Sequence, residues 1–271
     1  MVSDITLGQY VPGRSILHSI DPRAKILCIF TFIILVFCTF NYLSLGLIVF
    51  TTILLVLFSG VKLKIYIRSL KAVILIVIFT SVLNLFYGGG DPIFKLGFIT
   101  ITMQGINNSI FISIRIISLI LISSVLTFTT TPTDLTDALE RIMKPLKFFK
   151  VGVSEIAMMM TIALRFVPTL LEETDKIMSA QKSRGADLES GGITQRVKAL
   201  IPIIIPLFIS SFKRAYDLAV AMECRCYRGG IGRTRMKVLK LSKIDFIFIC
   251  FTVLLCLGVI MCNIKFPQVQ R

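Results

Sequence analysis

Five near-continuous apolar runs dominate this chain. They cover residues 26–42, 43–60, 72–87, 105–130 and 244–263, and they carry almost no charge. A bilayer core about 30 Å thick calls for about 20 apolar residues in helical form. A chain inside lipid must also satisfy every backbone polar group internally, which helices do. The expected fold is therefore all-α: a polytopic membrane protein with about five transmembrane helices. A hydrophobic content of 55% and a mean hydropathy of +0.85 exclude an ordinary soluble domain.

The net charge of +15 could signal nucleic acid. Beside such hydrophobicity it instead points to loops facing anionic lipid, so the partner is the bilayer and not nucleic acid. Lys62, Lys64, Arg68 and Lys71 place four cations in ten residues with no acid. Arg14, Arg23 and Lys25 make the N-terminal segment basic too. Between Thr131 and Ser242 there are 18 Lys and Arg against 11 Asp and Glu, a net of +7. The 41–46 connection is uncharged, and the stretch after Gly88 carries only Asp91 and Lys95. Alternation then puts the N-terminus and the long middle segment in the cytoplasm and the C-terminus outside. Residues 1–130 form the N-terminal segment and four spans, 131–242 a cytoplasmic helical domain, and 243–271 the last span and tail.

A seven-span arrangement competes with this. Residues 156–171 and 200–212 are apolar, but they are short for a 30 Å core and contain Arg165 and Pro168, and Pro202 and Pro206, respectively. They suit the interface or other helices better.

The first 24 residues are polar and turn-rich, unlike a signal peptide, so the first apolar run would act as an uncleaved insertion signal. Asp21-Pro22 is a helix start. Thr131 or Thr133 caps a further helix whose acids (Asp134, Asp137, Glu140) precede its bases (Arg141, Lys144, Lys147), as the helix dipole favours. Gly88-Gly89-Gly90-Asp91-Pro92 reads as a turn or loop; it is not a phosphate loop, because no Gly-Lys-Ser/Thr follows. His18 reads as a surface or interfacial residue. The seven cysteines read as reduced thiols, and Cys224-x-Cys226 is weak as a metal site without a second pair at zinc spacing. Arg115, inside the fourth run, is either a functional residue or an arginine paired with a neighbouring helix or snorkelling to the surface.

Two long helical segments fill 154–230. Ala215, Leu218, Ala219, Met222 and Cys226 trace one apolar stripe, and Ala163, Val167, Leu170, Thr174, Ile177 and Gln181 a similar face, with Glu172, Glu173, Asp175 and Lys176, and Lys213, Arg214, Asp217 and Glu223, on the rest. Two amphipathic helices that cross or stack are expected. The first ends at Ser183-Arg184-Gly185 and the second at Cys224-Arg225-Cys226, with the two arginines 41 residues apart (225 − 184). A cation in the last turn followed by glycine is ordinary helix termination. A repeated exposed Arg could also serve a protein partner, since its fork makes several directional hydrogen bonds.

Gly8-Gln9-Tyr10-Val11-Pro12-Gly13, Asp21-Pro22-Arg23-Ala24-Lys25, Ala163-Leu164-Arg165-Phe166-Val167-Pro168, Ala180 through Asp187, and Ala221 through Arg235 form a long, specific set. On these stretches the sequence resembles the transmembrane T component (EcfT) of energy-coupling factor (ECF) ABC transporters. It implies a bacterial cell-membrane subunit with a cytoplasmic coupling domain. Two ABC ATPase subunits and a membrane-embedded substrate-binding S component would be its partners. Ser183-Arg184-Gly185 and Cys224-Arg225-Cys226 would be the ATPase-docking tips, although Cys226 stands where the family motif has glycine. The chain itself would be non-catalytic and hold no cofactor, ATP being bound by the partner ATPases; it contains no G-x-x-x-x-G-K-[ST]. The cargo would be a vitamin or similar micronutrient. A dedicated cobalt or nickel importer component, a stand-alone permease, and a membrane enzyme acting on lipid or isoprenoid are the rival expectations.

Overall fold

The computed structural model describes residues 10–86, 92–96, 99–186, 192–229 and 241–266. In chain order its helices are α1 (Ile16–Ser19), α2 (Pro22–Phe37), α3 (Tyr42–Phe58), α4 (Leu63–Phe86), α5 (Met103–Thr129), α6 (Pro132–Ile142), α7 (Val153–Ser183), α8 (Ile193–Cys224) and α9 (Lys243–Lys265). A 3-10 helix, Lys144–Phe149, separates α6 from α7. The chain divides into two compact units, one of Gly8–Ala138 with Val238–Arg271, the other built on Leu139–Lys237.

The first unit is a helical bundle. α5 packs against α2, α3 and α4, and α9 packs against α2 and α3. Phe32, Val36, Ile48, Tyr66, Val125, Phe128 and Val259 lie fully buried at its centre. Tyr66 from α4 meets Phe128 edge-on at 5.2 Å and donates its O–H to Ser59 Oγ at 2.9 Å. The outer faces carry exposed Phe30, Phe50 and Leu75, an apolar surface that water would not tolerate over this extent.

The helix starts follow capping chemistry. Asp21 caps α2, with Pro22 at the first helical position. Thr102 Oγ1 accepts from Gly105 N at 3.1 Å to start α5. Ser242 and Asp245 cap α9 reciprocally. Asp245 also reaches across the bundle: its Oδ1 accepts the Asp21 backbone N–H at 2.7 Å. Lys25, 1% exposed, donates from Nζ to Thr129 O and Thr130 Oγ1, a cation at the carbonyl end of α5. The basic stretch of residues 21–25 thus knots the starts of α2 and α9 to the end of α5. His18 closes the same region: its Nε2–H donates to Val11 O at 2.9 Å, and Nδ1 accepts from Ser15 Oγ at 2.7 Å.

At the other end of α2, Arg115 donates to Thr39 O at 2.5 Å and stacks over Phe111, 5.0 Å from the ring centroid. Asn263 donates to Cys38 O, and Asn41 to Cys262 O and Phe266 O. Arg115 therefore has its partner in the link between α2 and α3, in line with the reading of an arginine paired with a neighbouring element.

Some boundaries differ from expectation. The first apolar run breaks at Phe37, and Tyr42 opens α3. The basic stretch with Lys64, Arg68 and Lys71 is not a loop but the first turns of α4, because nothing between Leu63 and Phe86 interrupts a helix. β1 (Pro92–Leu96) and β2 (Ile99–Thr102) form an antiparallel hairpin that was not foreseen, with Phe94 opposite Ile101 and Leu96 opposite Ile99. The glycine stretch 88–91 lies outside the described residues, as do Gly8, Gln9, Asp187 and residues 230–235 of the motif stretches. Among the described residues, five helices are long and apolar enough to cross a membrane: α4, α5, α9, and also α7 and α8. α2 and α3, at 16 and 17 residues, are shorter, about 24–26 Å at 1.5 Å per residue.

α6 begins at Pro132 and is capped by Thr131, whose Oγ1 accepts from Asp134 N at 3.1 Å and donates to Asp134 Oδ2 at 2.8 Å.

Candidate coupling site

The second unit is two long helices with little to bury between them. α7 has 31 residues and α8 has 32. Among its described residues only Val153, Ala157 and Ile203 are fully buried apolar side chains. One exposed apolar stripe runs along α8 through Val197, Ile201, Ile204, Phe208, Phe212, Tyr216 and Val220, at exposures between 41% and 70%. Spacings of three and four residues keep neighbouring side chains of this stripe adjacent along the helix. Such a face needs lipid or protein over it.

Polar contacts fix how the two helices run. Glu173 of α7 accepts from Arg214 of α8 at 2.7 Å and from the hydroxyl of Ser210. Gln181, eight residues further along α7, reaches Pro202, eight residues before Ser210 on α8. The pairings advance in opposite directions, so the helices lie antiparallel. The Gln181 contact has a local cause. Pro206 has no N–H, so the Pro202 carbonyl loses its partner four residues on. Gln181 Nε2 donates to that carbonyl at 3.4 Å.

The two tips share one backbone geometry. α7 ends at the cap residue Arg184, followed by Gly185 at φ +84°. Gly185 N donates to Lys182 O, and Ala186 N to Gln181 O, both at 3.0 Å. α8 ends at Arg225, followed by Cys226 at φ +55°. Cys226 N donates to Glu223 O at 2.8 Å, and Tyr227 N to Met222 O at 3.1 Å. Both ends are complete Schellman motifs with a left-handed residue after the cap. Cys226 adopts the conformation that glycine holds at the other tip, against the steric preference of a side-chain-bearing residue. Ser183, Arg184, Gly185, Cys224, Arg225 and Cys226 are all exposed.

The tips are also equally spaced from the ion pair. Glu173 precedes Arg184 by eleven residues (184 − 173), and Arg214 precedes Arg225 by eleven (225 − 214). At 1.5 Å per residue each arm is about 16 Å long. Because the helices run antiparallel, the two guanidinium groups sit at opposite ends of the pair. Sequence reasoning placed the two tips, put Gln181 on the helix face and Glu173 and Arg214 among the charged residues, but missed Ser210 and every pairing between the two helices. The one available signal was the pair of prolines four residues apart in α8.

The arrangement presents two exposed cations, each at a helix C-terminus, where the dipole leaves partial negative charge. It suits docking to acceptor-rich protein surfaces.

The chain matches the family model described as "Cobalt transport protein" (CbiQ) over residues 13–238. It is 50% identical over 266 residues to the energy-coupling factor transporter transmembrane protein EcfT of Ruminiclostridium cellulolyticum, covering 98% of this chain and all of the relative. The EcfT protein of Clostridium kluyveri is 49% identical over 263 residues, 96% of this chain and 97% of its own. That of Bacillus subtilis is 47% identical over 240 residues, 88% and 91% respectively.

Proposed function

The chain belongs to the family of energy-coupling factor transporter transmembrane proteins, and from that premise we propose that it is the coupling subunit of an ECF-type importer. In this reading residues 131–242 form the coupling domain, on the cytoplasmic side with the N-terminus, and the C-terminus lies outside. Arg184 and Arg225 each dock on one of two ABC ATPase subunits. Ser183, Gly185, Cys224 and Cys226 shape the tips that present them. The observation that carries this reading is the matched pair of arginine-capped helix ends, held in antiparallel opposition by Glu173 and Arg214.

Two partners that approach and separate on ATP binding and release would move the two tips relative to each other. The Glu173–Arg214–Ser210 contact lies between the tips, so a displacement at either becomes a change in the angle or slide of α7 against α8. The exposed stripe on α8 faces what is moved: a membrane-embedded S component, whose reorientation releases a vitamin or similar micronutrient. The chain contributes contacts and motion and no bond-making group. A component dedicated to a cobalt or nickel importer is the second reading, favoured by the description of the matching family model.

Purification of the intact chain from its own membrane in mild detergent tests the proposal. Co-elution of two ATPase subunits with one or more small hydrophobic proteins is the expected result. A chain that elutes alone and moves solute unaided in vesicles would overturn it.

A further inference from the structure

Between Glu140 and Glu155 the chain carries no acid and four cations: Arg141, Lys144, Lys147 and Lys150. This stretch contains the 3-10 helix Lys144–Phe149, and on it sit Phe148 and Phe149, 90% and 77% exposed. Phe148 is the most exposed of the large apolar side chains described. The two rings stand edge to face, 5.9 Å apart, and Leu146 beside them is also exposed. Lys150 closes the segment at φ +60°, a left-handed turn uncommon for a side-chain-bearing residue.

Two adjacent phenylalanines held in water forgo the hydrophobic gain that burial would give. A helix of six residues has no second face on which to hide them. Cations beside exposed aromatic rings match one environment, the boundary between anionic headgroups and acyl chains. The segment begins fifteen residues after the end of α5 at Thr129, within the distance over which basic residues act on a nearby membrane surface.

We propose that Lys144–Phe149, with Lys150, is an interfacial anchor: Phe148 and Phe149 enter the acyl boundary of the leaflet from which α5 emerges, and the flanking cations bind anionic phospholipid headgroups. The anchor would hold the start of α7 at the level of the membrane surface. It is independent of the arginine tips and of any transport partner.

The chain contains no tryptophan, so Phe148→Trp gives a single reporter in the full-length protein. Reconstitute this variant in vesicles of phosphatidylglycerol with phosphatidylethanolamine, and separately in phosphatidylcholine, each with and without lipids brominated near the headgroup end of the acyl chain. Blue-shifted emission and strong bromolipid quenching in the anionic vesicles, weaker in phosphatidylcholine, is the expected result. Adding Lys144→Gln and Lys150→Asn should erase the preference for anionic lipid, lowering the docked-to-undocked ratio by about five-fold per cation removed; asparagine tolerates the left-handed backbone at 150. Emission of a water-exposed indole in both lipids would overturn the proposal. So would blue-shifted emission without bromolipid quenching, which would mean that protein covers the site. A Leu75→Trp reporter on the apolar face of α4 checks that the bundle has inserted, so that silence at residue 148 cannot be blamed on failed reconstitution.

Discussion

Glu173 and Arg214 meet at 2.7 Å across the two longest helices of the chain, and each stands eleven residues before the arginine that caps its own helix. Both side chains are partly exposed, so the pair alone contributes about 0–1 kcal/mol. Its weight is geometric: it sets where along their lengths the helices touch. Glu173→Arg or Arg214→Glu alone should reduce ATP-driven uptake sharply while the chain still inserts, and the double exchange should restore much of it. Uptake by proteoliposomes of the assembled transporter checks this, and a double exchange no better than either single would reject a pairing role.

Arg184→Ala and Arg225→Ala together are expected to abolish ATP-driven uptake, with each single change giving a partial loss. Retained abundance of the chain in the membrane separates lost docking from lost folding. Normal uptake by the double variant would sink the coupling reading.

Cys226 is left-handed at φ +55° where the other tip has Gly185 at φ +84°. Cys226→Gly should stabilise the α8 tip by about 1 kcal/mol, and Gly185→Ala should cost about 1 kcal/mol at the α7 tip. A methyl group at residue 185 meets nothing within 4 Å, so the second cost comes from the backbone alone. Native-state hydrogen exchange at the ends of the two helices should register opposite signs for the two variants.

Asp245 is 1% exposed and accepts backbone N–H groups from Asp21 and Ser242. Asp245→Ala strands both donors and should cost about 2–4 kcal/mol. Thermal unfolding of the detergent-solubilised chain should show a marked drop in midpoint; a shift no larger than that of an exposed Asp217→Ala control would contradict the structural role.

Arg115→Met keeps much of the stacking on Phe111 but leaves Thr39 O without its donor. The expected outcome is a destabilisation of about 1–3 kcal/mol with the energetics of transport unchanged per folded molecule. A normal unfolding midpoint with lost uptake would instead make Arg115 functional.

Much of this architecture is legible in the chain because it follows from local rules. Asp21-Pro22, Thr131-Pro132 and the arginine tips each carry their cap within a few residues, and the apolar runs announce helices. What escaped was set by distance or by brevity. Glu173 and Arg214 are 41 residues apart (214 − 173), and no periodicity within either helix names its partner. β1 and β2 are five and four residues long, too short for alternation to stand out beside helical runs. The left-handed Cys226 shows the opposite case: the residue argued against a turn that the rest of the helix end imposed.

Equal arms make length itself a quantity under constraint. One residue inserted between Arg214 and Arg225 would swing the terminal guanidinium by about 100° around the helix axis and carry it about 1.5 Å further out. Almost any exposed side chain on these arms could be exchanged without that effect. For α7 and α8, then, drift in sequence should be far cheaper than drift in residue number: a single residue gained or lost in either arm turns its arginine away from the partner it faces.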